Sequence, residues 1–243
     1  MGGNLVSKTK GDRVIWAIVI ILTLVSLLVV YSSTGSLAYK YSKSTESFLF
    51  KQFAFIILGV IIIYFAHRVN YTIYSRIALI LFMIAIPLLI YTYFFGAKIN
   101  EGSRWIKLPV INMTFQTSDL AKLALFMYMS RQLSRKQNVI KDFKKGFLPI
   151  IIPVAIICLL IAPANLSTAI LVAATSLLLM FIGRISTKHI LLTMGIAMIP
   201  VIVLLTIAVK YYDKEEHKTK DLPAIFAVGR VPTWIGRIQT FMY

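Results

Sequence analysis

An acidic and a basic side chain stand three residues apart in an apolar part of the chain. Asp119 and Lys122 lie in the stretch TSDLAKLALFMYMS, where apolar residues otherwise dominate. On a helix this spacing puts both charges on nearly the same side, so that they can pair. A charge at the centre of a bilayer costs about 2.5–3.5 kcal/mol, and such residues are candidates for function. Two interpretations stand: an ordinary interfacial ion pair with Ser118 or Asp119 capping the helix, or a pair that contacts a substrate.

A second candidate pair, Arg104 and Trp105, precedes this stretch. A Trp beside an Arg at the headgroup level is a common membrane anchor. The alternative is that Arg104 makes a bidentate contact to a phosphate group. No metal-ligand cluster, phosphate loop or nucleophile elbow occurs in the sequence. We therefore expect no organic cofactor and no metal site, and the sequence leaves open whether a divalent cation assists.

The chain that positions these residues is strongly apolar. Hydrophobic residues make up 58% of the 243 residues, charged residues only 14%, and the mean hydropathy is +0.81. A soluble domain carries about 25% charged residues, so the composition indicates an integral membrane protein. The net charge of +17 comes from basic residues in short segments between apolar runs. That pattern is typical of orientation in a membrane and not of nucleic-acid binding.

Apolar runs of the length that crosses a bilayer, about 20 residues, divide the chain. Six runs qualify, and a seventh is shorter and begins with the polar TSD; in chain order the seven are Val14–Ser32, Phe48–Ala66, Ile77–Phe95, Leu120–Ser130, Phe147–Ala162, Leu166–Ile182 and Ile190–Val209. These predict an all-α polytopic membrane protein with seven transmembrane helices, treated as a single membrane domain over residues 1–243.

The basic residues predict which side each connection faces. With the N-terminus in the cytoplasm, the stretch RQLSRKQNVIKDFKK falls inside, as the positive-inside rule requires. If the short span Leu120–Ser130 were omitted, this basic stretch would fall outside, against the rule. Residues 96–118 then form an outer loop, too polar and irregular to span, and residues 210–243 begin another. Within the latter, the aromatic stretch PTWIGRIQTFMY is predicted to lie on the membrane surface.

A tight outer turn, IAPANLSTA, separates the fifth and sixth spans. Pro163 lacks a backbone donor and Asn165 favours turns, so the helix should break there. The small residues Ser167 and Thr168 follow on the next helix, where they allow close helix approach.

The stretch GSRWIKLPVINMTFQTSDLAKLALFMYMSRQL resembles the signature of the SEDS family (FtsW, RodA and SpoVE). Members carry a Gly-small-Arg-Trp element, a Phe-Gln-x-Ser-acid element and a Lys opening the fourth span. The turn APANLSTA resembles their turn between spans five and six, and RVPTWIGRIQTF the start of their large extracellular loop. Members usually have Pro-Ser-Glu at 117–119, and many have an acid at 165, where this chain has Asn. The family has ten spans, so the chain is similar to its first seven.

The resemblance implies a peptidoglycan glycosyltransferase that polymerises lipid II at the outer face of the bacterial cytoplasmic membrane. It implies substrate contacts by Arg104, Trp105, Gln116, Ser118, Asp119 and Lys122, with Pro163, Asn165, Ser167 and Thr168 forming the turn. The family's catalytic aspartate is expected beyond Tyr243. Division is favoured over elongation, with location at the septum. The implied partners are lipid II, a class B penicillin-binding transpeptidase and other divisome membrane proteins, and not nucleic acid.

Two other functions remain open at this stage. A lipid II flippase would have charges deeper in its spans, whereas the mid-span positions here are almost uncharged. A non-catalytic divisome scaffold would need no catalytic carboxylate.

Overall fold

The computed structural model describes residues 12–41, 45–99, 102–108, 113–213, 218–219 and 231–242. Its helices are α1 (Arg13–Tyr41), α2 (Thr45–Ala66), α3 (Tyr71–Phe95), α4 (Thr117–Arg135), α5 (Leu148–Ile161), α6 (Leu166–Ile182), α7 (Thr187–Lys210) and α8 (Val231–Met242). Its short strands are β1 (Ala97–Ile99), β2 (Gly102–Leu108), β3 (Met113–Gln116), β4 (Tyr212–Asp213) and β5 (Lys218–Thr219). A 3₁₀ turn (Gln137–Val139) and a π-helical turn (Phe143–Phe147) connect α4 to α5.

Most of these helices are long and apolar enough to cross a membrane. Within the described residues, five segments meet that condition: Arg13–Ser33, Leu49–Ala66, Tyr71–Phe95, Phe143–Ile161 and Thr187–Lys210. The apolar helix α6 is shorter, and α4 is more polar. The prediction of an all-α polytopic membrane protein is confirmed, while the count of seven spans stays a prediction that depends on α4 and α6.

Helix α4 is longer than its apolar run indicated. It covers Thr117–Arg135, whereas the sequence predicted a span at Leu120–Ser130. At about 1.5 Å per residue, 19 residues reach about 28 Å, close to the thickness of the hydrocarbon core. Its small residues Ala121 and Ala124 are fully buried, which allows α5 and α6 to approach its backbone closely. Contact with protein rather than lipid therefore explains why this helix carries more polar residues than the others.

The chain divides into two compact units, residues 1–73 and 74–243. In the first, α1 packs on α2. The Gln52 side chain donates to Ser26 Oγ at 2.8 Å, and the rings of Trp16 and His67 meet edge-on at 5.5 Å. In the second, the core is built by α3 to α6. Its largest fully buried apolar side chains are Leu125, Met129, Ile150, Ile157, Ile161, Met180 and Val172.

The segment between α3 and α4 is more regular than the sequence analysis predicted. Strands β1, β2 and β3 form a three-stranded antiparallel sheet in that order. The description of residues 96–118 as irregular was wrong for two reasons, whereas their assignment to an outer loop stays a prediction. The pattern of Trp105, Ile106, Phe115 and their polar neighbours fits paired strands, and the last two residues, Thr117 and Ser118, already belong to α4.

The end of the chain packs on α7. Ile235 of α8 is fully buried against Ile207 and Ala208 of α7. The buried Gln239 side chain donates to the carbonyl oxygen of Ala208 at 2.8 Å. The aromatic segment predicted to lie on the membrane surface is thus a helix held to α7. Whether residues 210–243 begin an outer loop stays a prediction, and residues 214–217 and 220–230 lie outside the described residues.

Candidate functional site

The predicted site residues lie where the small sheet joins α4. Strand β3 ends at Gln116, and α4 begins at the next residue. Gln116 keeps an extended backbone (φ −91°, ψ 107°), so the chain passes directly from strand to helix. Trp105 of β2 is paired with Gln116 across the sheet. The sheet therefore fixes the start of α4 relative to the Arg104–Trp105 element.

Four of the predicted residues form one hydrogen-bonded group, which we call the α4 N-terminal cluster: Gln116, Ser118, Asp119 and Lys122. Gln116 Nε2 donates to Ser118 Oγ at 2.8 Å and to Asp119 Oδ1 at 3.3 Å. Lys122 Nζ lies 2.7 Å from the same Asp119 oxygen. The pairing predicted from the three-residue spacing is present in the structure.

The capping interpretation was wrong. Gln116 is the N-cap residue, and its side chain makes no capping bond to the backbone, while Ser118 and Asp119 lie within the first turn. The extended backbone of β3 continues to Gln116, so the helix begins earlier than its polar residues suggested. Asp119 in the first turn still interacts favourably with the positive end of the helix dipole.

The two charges of the cluster differ in exposure. The Lys122 side chain is 29% exposed and that of Asp119 is 58% exposed. An exposed pair contributes little to stability, about 0.2–1 kcal/mol. Its main physical effect is therefore to orient the Lys122 ammonium group, which stays accessible to an anionic group of a ligand.

A small cavity of about 20 Å³ lies beside the cluster. Thr117 and Ser118 of α4 line it together with Ala164 and Asn165 of the α5–α6 turn; the rest of its wall comes from α3 and α5, through Leu89, Thr92, Tyr93, Leu160 and Ile161. Such a volume accommodates about one water molecule and no sugar or lipid. The cavity brings Ser118 and Asn165, distant in sequence, to a common wall.

Asn165 is the N-cap of α6. Its Oδ1 accepts from the backbone N–H of Thr168 at 3.4 Å, and its Nδ2 donates to Thr168 Oγ1. The predicted helix break at Pro163 is present, with α5 ending at Ile161 and α6 beginning at Leu166. Pro163 and Ser167 are exposed at the turn and do not line the cavity.

The Arg104–Trp105 element is only partly described. Trp105 is half-buried on β2, opposite Gln116. Arg104 lies beside it on the same strand, and its side chain lies outside the described residues. The backbone thus brings Arg104 near the start of α4, and a phosphate contact by its side chain stays a prediction.

Helix α3 also contributes to the site, and the sequence did not predict this. Thr92 is 1% exposed and lines the cavity, and its Oγ1 donates to the carbonyl oxygen of Leu88 at 2.7 Å. A hydroxyl residue within an otherwise apolar span is the signal that points to such a position. Thr117, buried to 1% exposure at the start of α4, was also missed.

Potential metal ligands are scattered. Within the described ranges, no group of three or more His, Cys, Asp or Glu side chains lies close enough together to hold a metal ion. The chemistry offered by the described part of this site is thus that of an oriented ammonium group, a carboxylate, an amide and a hydroxyl group.

Comparison with known proteins points to one family. The family model described as "Cell cycle protein" (FtsW, RodA and SpoVE) matches residues 12–221. The chain is 31% identical over 192 residues to the probable peptidoglycan glycosyltransferase FtsW of Geobacter sp. (strain M18), covering 78% of this chain and 52% of that protein. It is 29% identical over 229 residues to the protein of the same name in Trichlorobacter lovleyi, covering 93% of this chain and 58% of that protein.

A sporulation protein is also similar. Identity to stage V sporulation protein E of Bacillus subtilis is 28% over 188 residues, covering 75% of this chain and 50% of that protein. The chain thus spans about half the length of the curated relatives that it matches.

Proposed function

The chain belongs to the FtsW, RodA and SpoVE family of cell cycle proteins, and on that premise we propose that the protein is a peptidoglycan glycosyltransferase. Its substrate is lipid II, which it polymerises into glycan strands at the outer face of the bacterial cytoplasmic membrane during cell division. The observation that carries the proposal is the α4 N-terminal cluster, in which Asp119 and Gln116 converge beside an accessible Lys122.

The charge of Lys122 suits this reaction. Lipid II donates its sugar while an undecaprenyl pyrophosphate leaves, so negative charge develops on phosphate oxygens. An ammonium group oriented before the reaction stabilises that charge more than a mobile one does. Arg104, on the adjacent strand, would add a bidentate contact to the same group.

Asp119 is assigned to positioning and not to proton transfer. Its Oδ1 already accepts from Gln116 and pairs with Lys122. A general base must be free to reach the sugar hydroxyl that it deprotonates. We therefore propose that Asp119 and Gln116 hold Lys122 in place, and we leave the catalytic base unassigned.

The small cavity beside the cluster is assigned a structural role and not a role in substrate binding. Its volume of about 20 Å³ excludes the substrate, which must bind outside it, against the exposed face of the cluster. Ser118 and Asn165 then couple the first turn of α4 to the α5–α6 turn, where Pro163, Ser167 and Thr168 shape the adjoining surface. Trp105 would contact the substrate from the sheet. This chemistry calls for no organic cofactor.

We further propose the setting in which the protein works. A multi-pass protein of this family that polymerises lipid II would reside in the bacterial cytoplasmic membrane at the division septum. A class B penicillin-binding transpeptidase and other divisome membrane proteins would be its partners, because new glycan strands must be cross-linked as they form.

The test is glycan synthesis from purified lipid II by the protein as its gene encodes it. We expect Lys122→Ala to lower the rate by about 10²–10³-fold, the usual cost of removing one preorganised electrostatic group. Lys51→Ala serves as the matched control, since Lys51 is an exposed lysine on α2 that contacts the ring of Phe55 and lies outside the cluster. Polymer length on gels and the amount of inserted protein are measured together.

Three outcomes separate the candidate functions. Polymer formation that requires Lys122 but not Lys51 supports the proposal. Lipid II exchange across liposomes without polymer would indicate a flippase. Neither activity from a correctly inserted protein would indicate a scaffold. Normal polymerisation by Lys122→Ala would remove the site assignment while leaving the family activity intact.

A further inference from the structure

A second group of charged residues lies at the other end of α4, where two connections meet. One is the α4–α5 connection, residues 136–147, and the other is the α6–α7 turn, residues 183–186. Gln137 Nε2 donates to the carbonyl oxygen of Leu133 at 2.8 Å and also reaches that of Gly183 at 3.5 Å. The ring of His189, just after the turn, packs on Phe147 with centroids 5.0 Å apart. The two connections therefore form one packed surface.

An open cavity of about 390 Å³ lies on this surface, and we call it the basic turn cavity. It is lined by Lys141, Phe181, Arg184, Ile185, Ser186 and Thr187. Lys141 and Arg184 are exposed, whereas Ile185 is buried and anchors the turn to the core. Two cations and two hydroxyl groups therefore face a space large enough for a lipid headgroup.

The cations of the basic turn cavity are not paired with any acidic side chain that the structure describes. In the described part of the chain, no carboxylate lies within ion-pair distance of Lys141 or Arg184. Asp142, the neighbour of Lys141, is engaged elsewhere, because its Oδ1 accepts from the backbone N–H of Lys145 at 2.7 Å. The other charged side chains of the two connections and the start of α7 are Lys136, Lys144, Lys145 and Lys188, all of them basic. The complementary ligand is therefore an anion.

Arg184 occupies a backbone position that favours glycine. Its φ is 64°, whereas every other described residue apart from glycine has a negative φ. The hydrogen bonds from Arg184 N to Phe181 O and from Ile185 N to Met180 O form a Schellman motif, in which glycine is the usual residue at this point. An arginine there costs conformational free energy, which the surrounding structure offsets. In the part of the chain that the structure describes, no carboxylate pairs with that side chain, so the guanidinium group is available to an anionic ligand.

The surroundings of the cavity favour a membrane lipid over a soluble anion. Phe181 and Ile182 are 63% and 68% exposed and continue the apolar surface of α6 up to the cavity. The cavity thus lies where apolar helix surface gives way to charge, and the headgroups of a surrounding bilayer are expected at such a boundary. Ser186, the N-cap residue of α7, makes no side-chain capping bond, which leaves its hydroxyl available to a ligand.

We propose that the basic turn cavity binds the phosphate-bearing headgroup of an anionic membrane lipid, with Lys141 and Arg184 contacting the phosphate. The acyl chains then lie along the apolar surface of α6. In the predicted orientation this is the cytoplasmic end of the protein, opposite the α4 N-terminal cluster. The site does not depend on the proposed glycosyltransferase activity.

The test measures lipid bound to the protein as its gene encodes it, reconstituted in phosphatidylcholine nanodiscs with rising mole fractions of phosphatidylglycerol. We expect the double variant Lys141→Gln, Arg184→Gly to need about 30-fold more phosphatidylglycerol for half-saturation, and each single variant about fivefold more. Glycine adopts the backbone of residue 184 without strain, so Arg184→Gly should unfold at the same or a higher temperature. Weaker binding by a more stable protein would exclude misfolding as the cause.

The control pair is Lys144→Gln, Lys188→Gln, which removes the same charge from the same surface but outside the cavity. Unchanged binding by this pair supports a defined site. An equal loss in both pairs would overturn the proposal, since it would indicate diffuse attraction to a charged surface. Displacement of the lipid by millimolar inorganic phosphate, with equally tight binding of soluble glycerol phosphate, would overturn the assignment to a lipid. No step of the test uses glycan synthesis, so its result is independent of the proposed function.

Discussion

The cations at the two ends of the α4–α6 helix group differ in their pairing with acidic side chains. At the α4 N-terminal cluster, Lys122 is paired with Asp119, which also accepts from Gln116. At the basic turn cavity, Lys141 and Arg184 have no described acidic partner. One end holds a cation in a fixed direction beside a cavity that admits about one water molecule, and the other leaves two cations around an open cavity of about 390 Å³.

This difference in pairing indicates two different roles for the basic residues, which the charge composition alone does not distinguish. A paired and oriented cation can stabilise charge that appears during a reaction, because its position is set beforehand. Unpaired cations around an open space gain most from a resident anion, because only the anion offsets their mutual repulsion. We therefore expect substitutions at the first end to change reaction rates and those at the second to change lipid binding.

Breaking the orienting contact at the first end should have a large effect, second only to removal of the Lys122 ammonium group itself. We predict that Asp119→Ala lowers the rate of glycan synthesis by up to about 100-fold, because a displacement near 1 Å of a positioned group has that cost. Its effect on the unfolding temperature should be small, since an exposed pair contributes about 0.2–1 kcal/mol. Initial polymerisation rates and thermal unfolding in detergent measure the two effects separately.

The conservative variant sharpens this prediction. Asp119→Glu keeps the carboxylate on a longer side chain and should recover most of the activity if orientation of Lys122 is the role of Asp119. Equal inactivity of the Ala and Glu variants would contradict a positioning role and would favour direct contact of Asp119 with the substrate.

Much of the first end could be predicted from sequence because its contacts are local. The spacing of Asp119 and Lys122 fixes their pairing once α4 is a helix, and the basic stretch after Ser130 indicated that a span precedes it. In the structure, α4 and α6 start at one end of the helix group and finish at the other, as two spans separated by a third would do. Asn165 at the start of α6 shares a cavity with Ser118 at the start of α4, whereas Gln137 after α4 meets Gly183 after α6.

The parts that were missed depend on contacts distant in sequence. Thr92 joins the cavity through packing of α3 on α4, shown by the stacking of Phe82 on Tyr128 at 4.8 Å. The basic turn cavity forms because the two connections dock on one another across 46 residues. A pattern of basic residues predicts the side of the membrane, and only the fold shows which of them surround a cavity.

Substitutions at two glycines test how tightly the residues at the second end are packed. A Cβ at Gly146 would lie 2.4 Å from the carbonyl oxygen of Val139, whereas one at Gly183 would lie 2.6 Å from Leu133 Cδ2. We predict that Gly146→Ala lowers the free energy of unfolding by about 1–3 kcal/mol, because backbone must move, and that Gly183→Ala costs about 1 kcal/mol or less, because a side chain can turn away. Chemical unfolding of both variants in the same detergent gives the order, and a larger loss for Gly183→Ala would contradict it.

A small effect on stability is expected at the α5–α6 turn, where Asn165 both caps α6 and lines the cavity beside Ser118. We predict that Asn165→Ala lowers the free energy of unfolding by about 1 kcal/mol, the usual cost of removing a cap. Asn165→Asp should keep that stability, because its carboxylate accepts the same backbone N–H from Thr168 at the positive end of the helix dipole. Glycan synthesis by the two variants then separates the roles of the residue. If capping is its whole contribution, the Asp variant polymerises lipid II at the parental rate. A slow but stable Asp variant would show that the amide itself is needed, and would extend the functional surface from the α4 N-terminal cluster to this turn.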